Sequence, residues 1–296
     1  MRAGGGAADT PGWTTRVVPN LFPALANEGE GDDTAPPAGG GDAGAFTSSA
    51  DPLLASQRVS EPDLFSSRPA RGAHEVIVHS PEHATSMAEL SEERFAGVIA
   101  TWRERMRAHG DAAYVQLIVN EGGGAGASLE HTHAQLYALP FVPATVARER
   151  ERAGAYRERA GGNSLLGDVL VEEVRRRDRL VAIDDEAALL CPWASRSPYE
   201  LRVVPRVEAP RFEEDGAGAA MLRRALRLLA AHFDGSPELN LWVRTAPRGA
   251  EQFRWHVDIA PKLTTKAGFE LGTGVDINIY PPERASSDLR DAEAAA

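Results

Sequence analysis

Cysteine is nearly absent from this chain: 296 residues contain one, Cys191. A lone thiol cannot close an internal disulfide, and it cannot supply a Cys-x-x-Cys pair to a structural zinc. Long apolar runs are missing too. No stretch approaches the roughly 20 consecutive apolar residues of a membrane-spanning helix, and no N-terminal segment joins a basic start to an apolar run of signal-peptide length. Basic charge is short: 32 Lys and Arg stand against 43 Asp and Glu, a formal net charge of −11. Surfaces that bind nucleic-acid backbones concentrate Lys and Arg, so that function class is excluded and any nucleotide handled is small. The expectation is a soluble, cytoplasmic protein with neither nucleic acid nor membrane as a partner, long enough for one large domain or two modest ones.

Several elements are legible. "GWTTRVVPNLFPAL" reads as a short strand ending at Pro19, with Asn20 and Pro23 shaping a loop. Residues 27–72 are rich in Gly, Ala, Ser, Asp and Pro, a composition that cannot offset the entropy of ordering, and are expected to form a disordered excursion. "HEVIVHSPEH" is a strand closed by Ser80 and Pro81. The following segment is an amphipathic helix capped by Ser91, with Phe95, Ile99, Trp102 and Met106 on one face. "YVQLIVN" is a buried strand, and a charged helix runs from about Ala144 to Ala160. In the second half "YELRVVPRVEAP" echoes "WTTRVVPNLFP", a helix near Ala219–Phe233 follows, and "LNLWVRTAP" and "FRWHVDIAP" form another strand pair. Strand, helix, strand, loop, strand in each half predicts a duplicated α+β unit of mostly antiparallel sheet, since the last connection is too short for a crossover helix. The charge-rich runs "RERERAGAYRERA" and "EEVRRRDRL" are expected to be solvated helix faces.

The chemistry is concentrated in "NEGGGAGASLEHTHAQLYALP" (Asn120–Pro140). On a strand, alternate side chains share a face, so His131, His133 and Gln135 are expected to converge. Glycine lets backbone N–H groups approach an anion without a Cβ in the way, so the loop before them is expected to cradle a phosphate. Imidazole exposes a free lone pair near neutral pH and needs no separate base, which makes it a fit nucleophile for phosphorus. Two other readings stand beside this one. The glycines could merely form a tight hairpin with satisfied histidines, or H-x-H could present two imidazoles to a metal ion in a phosphohydrolase.

"GASLEHTHAQL" resembles the H-x-H-x-Q motif of galactose-1-phosphate uridylyltransferases, the nucleotidyltransferase branch of the histidine-triad superfamily. "RVVPNLFPAL", "GAHEVIVHSPEH", "CPWASRSPYELRVVP" and "WHVDIAPKLTTKAGFELGTGVDINIYPPE" resemble further blocks in the family's order. The resemblance implies an α+β fold of two tandem histidine-triad-like modules, mostly antiparallel sheets with flanking helices, here residues 1–143 and 144–296. It implies UMP exchange between UDP-glucose and galactose 1-phosphate through a covalent nucleotidyl-His133, with Gln135 and His131 assisting. A neutral amide at Gln135 cannot donate a proton to a poor leaving group, which favours transfer over hydrolysis. Carried over by position, Asn20 resembles a nucleotide-binding asparagine. Asn120, Gly126 and Ser128 resemble sugar-phosphate contacts, and Phe269 to Gly272 part of the wall met by the sugar. The substrates expected are thus a nucleoside-diphosphate sugar and a sugar 1-phosphate. No organic cofactor is implied, and the family's habit of pairing implies a homodimer. Adenylyl transfer, phosphorolysis of an ADP-sugar, or an inactive nucleotide-binding module are the alternatives.

The family pattern also implies zinc, held by a Cys-x-x-Cys pair together with His83 and His131. The pair is missing, so either the zinc is lost or the chain begins late; two imidazoles alone make a weak zinc site. At a second metal site Glu149 and His256 match, but Asp258 replaces a histidine and Arg244 falls near another. An arginine beside a carboxylate is expected to hold that site by ion pairing, without a tightly bound metal. Cys191 is expected to be a buried core thiol.

Overall fold

The computed structural model of the protein describes residues 12–25 and 70–295. Most of the excursion expected at residues 27–72 lies outside the described residues. Nine strands form one sheet in the order β1 (Arg16–Pro19), β2 (Ala73–Val78), β4 (His133–Leu139), β3 (Tyr114–Glu121), β8 (Leu239–Arg244), β9 (His256–Pro261), β7 (Leu201–Pro205), β6 (Ala187–Leu190) and β5 (Leu180–Ile183). Every neighbouring pair is antiparallel. The first four strands of the chain meet the last five where β3 pairs β8, with Asn120 opposite Asn240 and Ile118 opposite Trp242.

Period-two alternation divides the sheet into an apolar and a polar face. Ile77, Leu117, Val119, Ala134, Leu136, Leu241 and Val257 are buried in the main core. Helices α1 (Glu92–Ala108) and α4 (Ala219–His232) supply the rest of this layer. Ser91 caps α1 as expected, its hydroxyl accepting from the Arg94 N–H at 3.2 Å. Phe95, Ile99, Trp102 and Met106 are all buried. Truncating a side chain such as Trp102 costs about 3–5 kcal/mol.

Helices α2 (Ala144–Arg159) and α3 (Leu165–Arg176) follow β4, and α5 (Gly268–Thr273) and α6 (Pro282–Ala295) close the chain. The run "EEVRRRDRL" departs from the expected solvated face: Glu173 is buried and accepts a 2.8 Å hydrogen bond from Arg179 Nε. Leu170 and Val174 pack against β5, β6 and β7 on one side of α3, so the charges of that run do not all face water. Cys191 is buried, and burial pushes its thiol far up from the ordinary range. Among the described residues no helix is long and apolar enough to cross a membrane.

Candidate active site

The site lies on the polar face around the N-terminal end of β4. There the strand begins at His133, so His131 precedes the strand and does not share its face with Gln135 as alternation predicted. The backbone of the motif explains why. Thr132 N–H donates to the Ala84 carbonyl at 2.8 Å and the Thr132 carbonyl accepts from His79 N–H at 3.3 Å, which ties the segment to the loop after β2. The His131 ring consequently turns to that loop. Its Nε2 donates to the Ser80 carbonyl at 2.8 Å, and its ring meets His83 edge-on at 5.6 Å.

His133 is buried, and its Nδ1 lies 2.9 Å from the His131 carbonyl oxygen. A carbonyl can only accept, so Nδ1 carries a proton, and in the neutral ring the lone pair is the one on Nε2. Two residues further along the same face stands Gln135, and two beyond that Tyr137. Gln135 Oε1 accepts from the Tyr137 hydroxyl at 2.8 Å and lies 3.0 Å from His74 Nε2. His74 is opposite Tyr137 in the β2–β4 register, and their rings stack at 4.1 Å. Asn20 lies at this edge too: its N–H donates to the His74 carbonyl at 2.8 Å, and its Oδ1 accepts from Phe22 N–H at 3.0 Å. Leu21 and Phe22 beside it are 82% and 84% exposed, an apolar surface flanking a polar anchor.

A buried polar relay sits behind the motif. Trp102 Nε1 donates to His79 Nε2 at 3.2 Å, which places the His79 proton on Nδ1, 3.0 Å from Thr132 Oγ1. Thr132 Oγ1 donates in turn to Glu121 at 2.9 Å. The same carboxylate accepts from Ser86 Oγ at 2.7 Å and Met87 N–H at 2.6 Å. Burial pushes the Glu121 pKa up, against the pull of these three donors. Burial and the nearby His133 and His131 push that of His79 well down, which keeps its ring neutral.

The glycine loop does not form the open phosphate cradle the sequence suggested. Gly122 and Gly124 press on Glu238, where an added Cβ would meet its side chain at 2.3 and 2.2 Å, and Gly124 N–H donates to Glu238 Oε1 at 3.0 Å. The amides of Ala125, Gly126 and Ala127 bond to carbonyls within the loop. Glycine is needed here for close approach and for the positive φ of Gly122 and Gly126, 86° and 87°. Asn120 accepts from Asn240 Nδ2 at 2.8 Å, and Ser128 is exposed. Beyond Asn240 a cleft of about 400 Å³ opens, lined among others by Trp242, Arg196, Lys262, Lys266 and Glu270. Phe269 and Gly272 lie on α5 at its edge and are exposed.

Where the second metal was considered, the structure builds ion pairs. Glu149 reaches from α2 to Arg244 at 3.7 Å and to His256 Nε2 at 3.5 Å, while Asp258 takes a bidentate contact from Arg202 at 2.6 and 3.1 Å. Burial and the neighbouring Arg202 lower the His256 pKa to about 4. Among the described residues no group of three His, Cys, Asp or Glu side chains is placed to hold a metal. Sequence reasoning missed His74, Tyr137, Glu121 and Thr132. Alternation from His133 through Gln135 could have reached Tyr137, whereas His74 needs the strand register.

Residues 45–143 match the family profile described as galactose-1-phosphate uridyl transferase, N-terminal domain. ADP-glucose phosphorylase from Arabidopsis thaliana is 26% identical across 95% of this chain and 75% of its own length. Galactose-1-phosphate uridylyltransferase from Thermotoga maritima is 28% identical across 77% of each. Among solved structures, a uridylyltransferase superposes with TM-score 0.79 at 23% identity, covering 98% of this chain and 88% of its own. The Arabidopsis ADP-glucose phosphorylase with bound ADP-glucose gives 0.75 at 22% identity, covering 96% and 83%. The relatives that align along most of the chain make it an enzyme of the nucleotidyltransferase class. Along most of its length the chain is similar to galactose-1-phosphate uridylyltransferases and to an ADP-glucose phosphorylase.

Proposed function

We propose that this protein moves UMP between UDP-glucose and galactose 1-phosphate by way of a covalent His133 intermediate. One observation carries the chemistry: the His133 Nδ1–H contact to the His131 carbonyl selects the tautomer whose lone pair is on Nε2, two residues from the Gln135 amide. In the first half-reaction Nε2 attacks the α-phosphorus, the P–N bond forms, the bond to the bridging oxygen breaks, and the hexose 1-phosphate departs with that electron pair. The ring becomes cationic, and the His131 carbonyl steadies the proton on Nδ1. In the second half a phosphate oxygen of the incoming sugar 1-phosphate attacks, the P–N bond breaks, and His133 returns neutral. No net proton is consumed. Gln135 donates to the phosphoryl oxygens as charge shifts across them, and Asn20 with Leu21 and Phe22 borders the nucleoside. Asn120, Gly126, Ser128 and the α5 edge at Phe269 and Gly272 border the sugar and its phosphate.

Phosphorolysis of an ADP-sugar is the second reading, favoured by the Arabidopsis ADP-glucose phosphorylase relative that aligns across 95% of this chain. Zinc is not part of the proposal. The donor set at the first metal position comes to His83 and His131, and the one cysteine is buried elsewhere in the core. The protein acts in the cytoplasm as a homodimer.

The test is incubation with UDP-glucose and ADP-glucose, each radiolabelled in the α-phosphate. The expected result is acid-labile label on the protein from UDP-glucose, lost in His133→Ala and retained in part in His131→Ala. Label from ADP-glucose alone establishes the second reading, and labelling of His133→Ala at the wild-type level refutes His133 as nucleophile.

A further inference from the structure

Gln135 can stabilise a phosphoryl group only if its N–H₂ end, and not its oxygen, faces the substrate. An amide is nearly symmetric in shape, so something must decide which end points where. Three contacts do so here. Ala24 N–H, a backbone group that can only donate, lies 3.1 Å from His74 Nδ1, which must therefore be the unprotonated ring nitrogen. The proton of the neutral ring then sits on Nε2, 3.0 Å from Gln135 Oε1. The Tyr137 hydroxyl donates to the same oxygen at 2.8 Å. Asn20 Nδ2, 3.1 Å from His74 Nε2, is itself a donor with its Oδ1 engaged by Phe22 N–H; two donors cannot hydrogen-bond, so Gln135 Oε1 is the acceptor left for the Nε2 proton.

We propose that His74, with Tyr137, is a positioning residue: it holds Gln135 Oε1 inward so that the amide N–H₂ group points to the phosphoryl group on His133. The claim rests on the nucleotidyl-transfer reading only for the identity of the phosphoryl group; the amide orientation stands on the contacts alone. Burial lowers the His74 pKa against the opposing pull of Gln135, in keeping with a neutral ring. The stack of His74 on Tyr137 at 4.1 Å fixes the ring plane. His74 also ties two parts of the site together, since its Nδ1 anchors Ala24 and its carbonyl anchors Asn20. The loop flanking the nucleoside and the orientation of Gln135 are thereby set by one residue. Its neighbour Glu75 points to the opposite face and pairs with Arg105, which leaves the His74 ring to this role.

Two measurements test it. First, ¹⁵N NMR of the intact protein, with the His74 resonances assigned by their loss in His74→Phe, is expected to show the Nε2–H tautomer. An Nδ1–H tautomer or a protonated ring at pH 7.5 overturns the proposal whatever the substrate is. Second, protein labelling by UDP-glucose, or by ADP-glucose if that is the donor, is timed in a double-mutant cycle. His74→Phe keeps a stacking ring and removes the donor; Tyr137→Phe removes only the hydroxyl and serves should His74→Phe fail to fold. Each is expected to slow labelling about tenfold at saturating donor in the wild-type background, and less than about twofold in a Gln135→Ala background, because the group being oriented is gone. Equal losses in both backgrounds overturn the proposal and leave His74 a structural residue. If neither sugar labels the wild type, the transfer reading fails, and the tautomer still decides the orientation of Gln135.

Discussion

Thr132 Oγ1, between the two motif histidines, donates a 2.9 Å hydrogen bond to the buried carboxylate of Glu121. The strand that starts at His133 is thereby fastened from behind, on the apolar side of the sheet. Thr132→Val keeps the shape but leaves Glu121 with one donor fewer and His79 Nδ1–H without its acceptor. The expected cost is about 1–3 kcal/mol in denaturant unfolding, with slower labelling of His133, and Thr132→Ser is expected to recover most of both. Wild-type stability in Thr132→Val would show that the relay is incidental.

Gln135→His tests the choice between transfer and hydrolysis. Removing one preorganised donor typically costs about 10²–10³ in rate, so turnover falls. An imidazole at that place can also pass a proton where the amide cannot, so the share of product appearing as free nucleoside monophosphate is expected to rise at saturating acceptor. The decisive quantity is the ratio of monophosphate to new nucleotide sugar; if it does not move, Gln135 has only a positional role.

Metal dependence can be checked directly. The contacts of Arg244 with Glu149 and of Arg202 with Asp258 fill the second metal position with cations. Prolonged dialysis against a chelator is expected to leave transfer activity intact, with well under one zinc per chain by elemental analysis. Activity abolished by chelation and restored by stoichiometric zinc would favour a metal-dependent phosphohydrolase instead.

Glu75 predicts a specific acid limb of stability. Burial alone would raise its pKa, but hydrogen bonds from His109 at 3.1 Å and Arg105 at 2.9 and 2.7 Å lower it to about 2, against an ordinary value of 4.5. A carboxylate whose folded pKa is depressed contributes stability that is complete above the unfolded value and is lost as pH falls towards the folded one. The contribution therefore fades between about pH 4.5 and 2. Glu75→Gln is expected to cost on the order of 1.5–3 kcal/mol at pH 7 and progressively less through that window. A constant difference between the two proteins from pH 7 to 3 would contradict the assignment.

Local order in the sequence determined a good deal by itself. The alternation in "YVQLIVN" and "HTHAQLYAL" placed two central strands, the 3.6-residue recurrence of Phe95, Ile99, Trp102 and Met106 placed the core face of α1, and Ser91 marked its start. Those signals are short-range, because backbone geometry repeats within a few residues. The residue types of the motif likewise singled out His133 and Gln135 as the candidates for chemistry. Only the tertiary structure decided the rest, since register and burial are long-range quantities. It set His74 opposite Tyr137 across β2 and β4 and so fixed which end of the Gln135 amide is free. Backbone bonds to Ala84 and His79 held the residues before His133 off the strand and turned His131 towards His83 and Ser80. The carboxylate of Glu238, more than 110 residues along the chain, took up the glycine-loop amide that local composition had suggested for a phosphate.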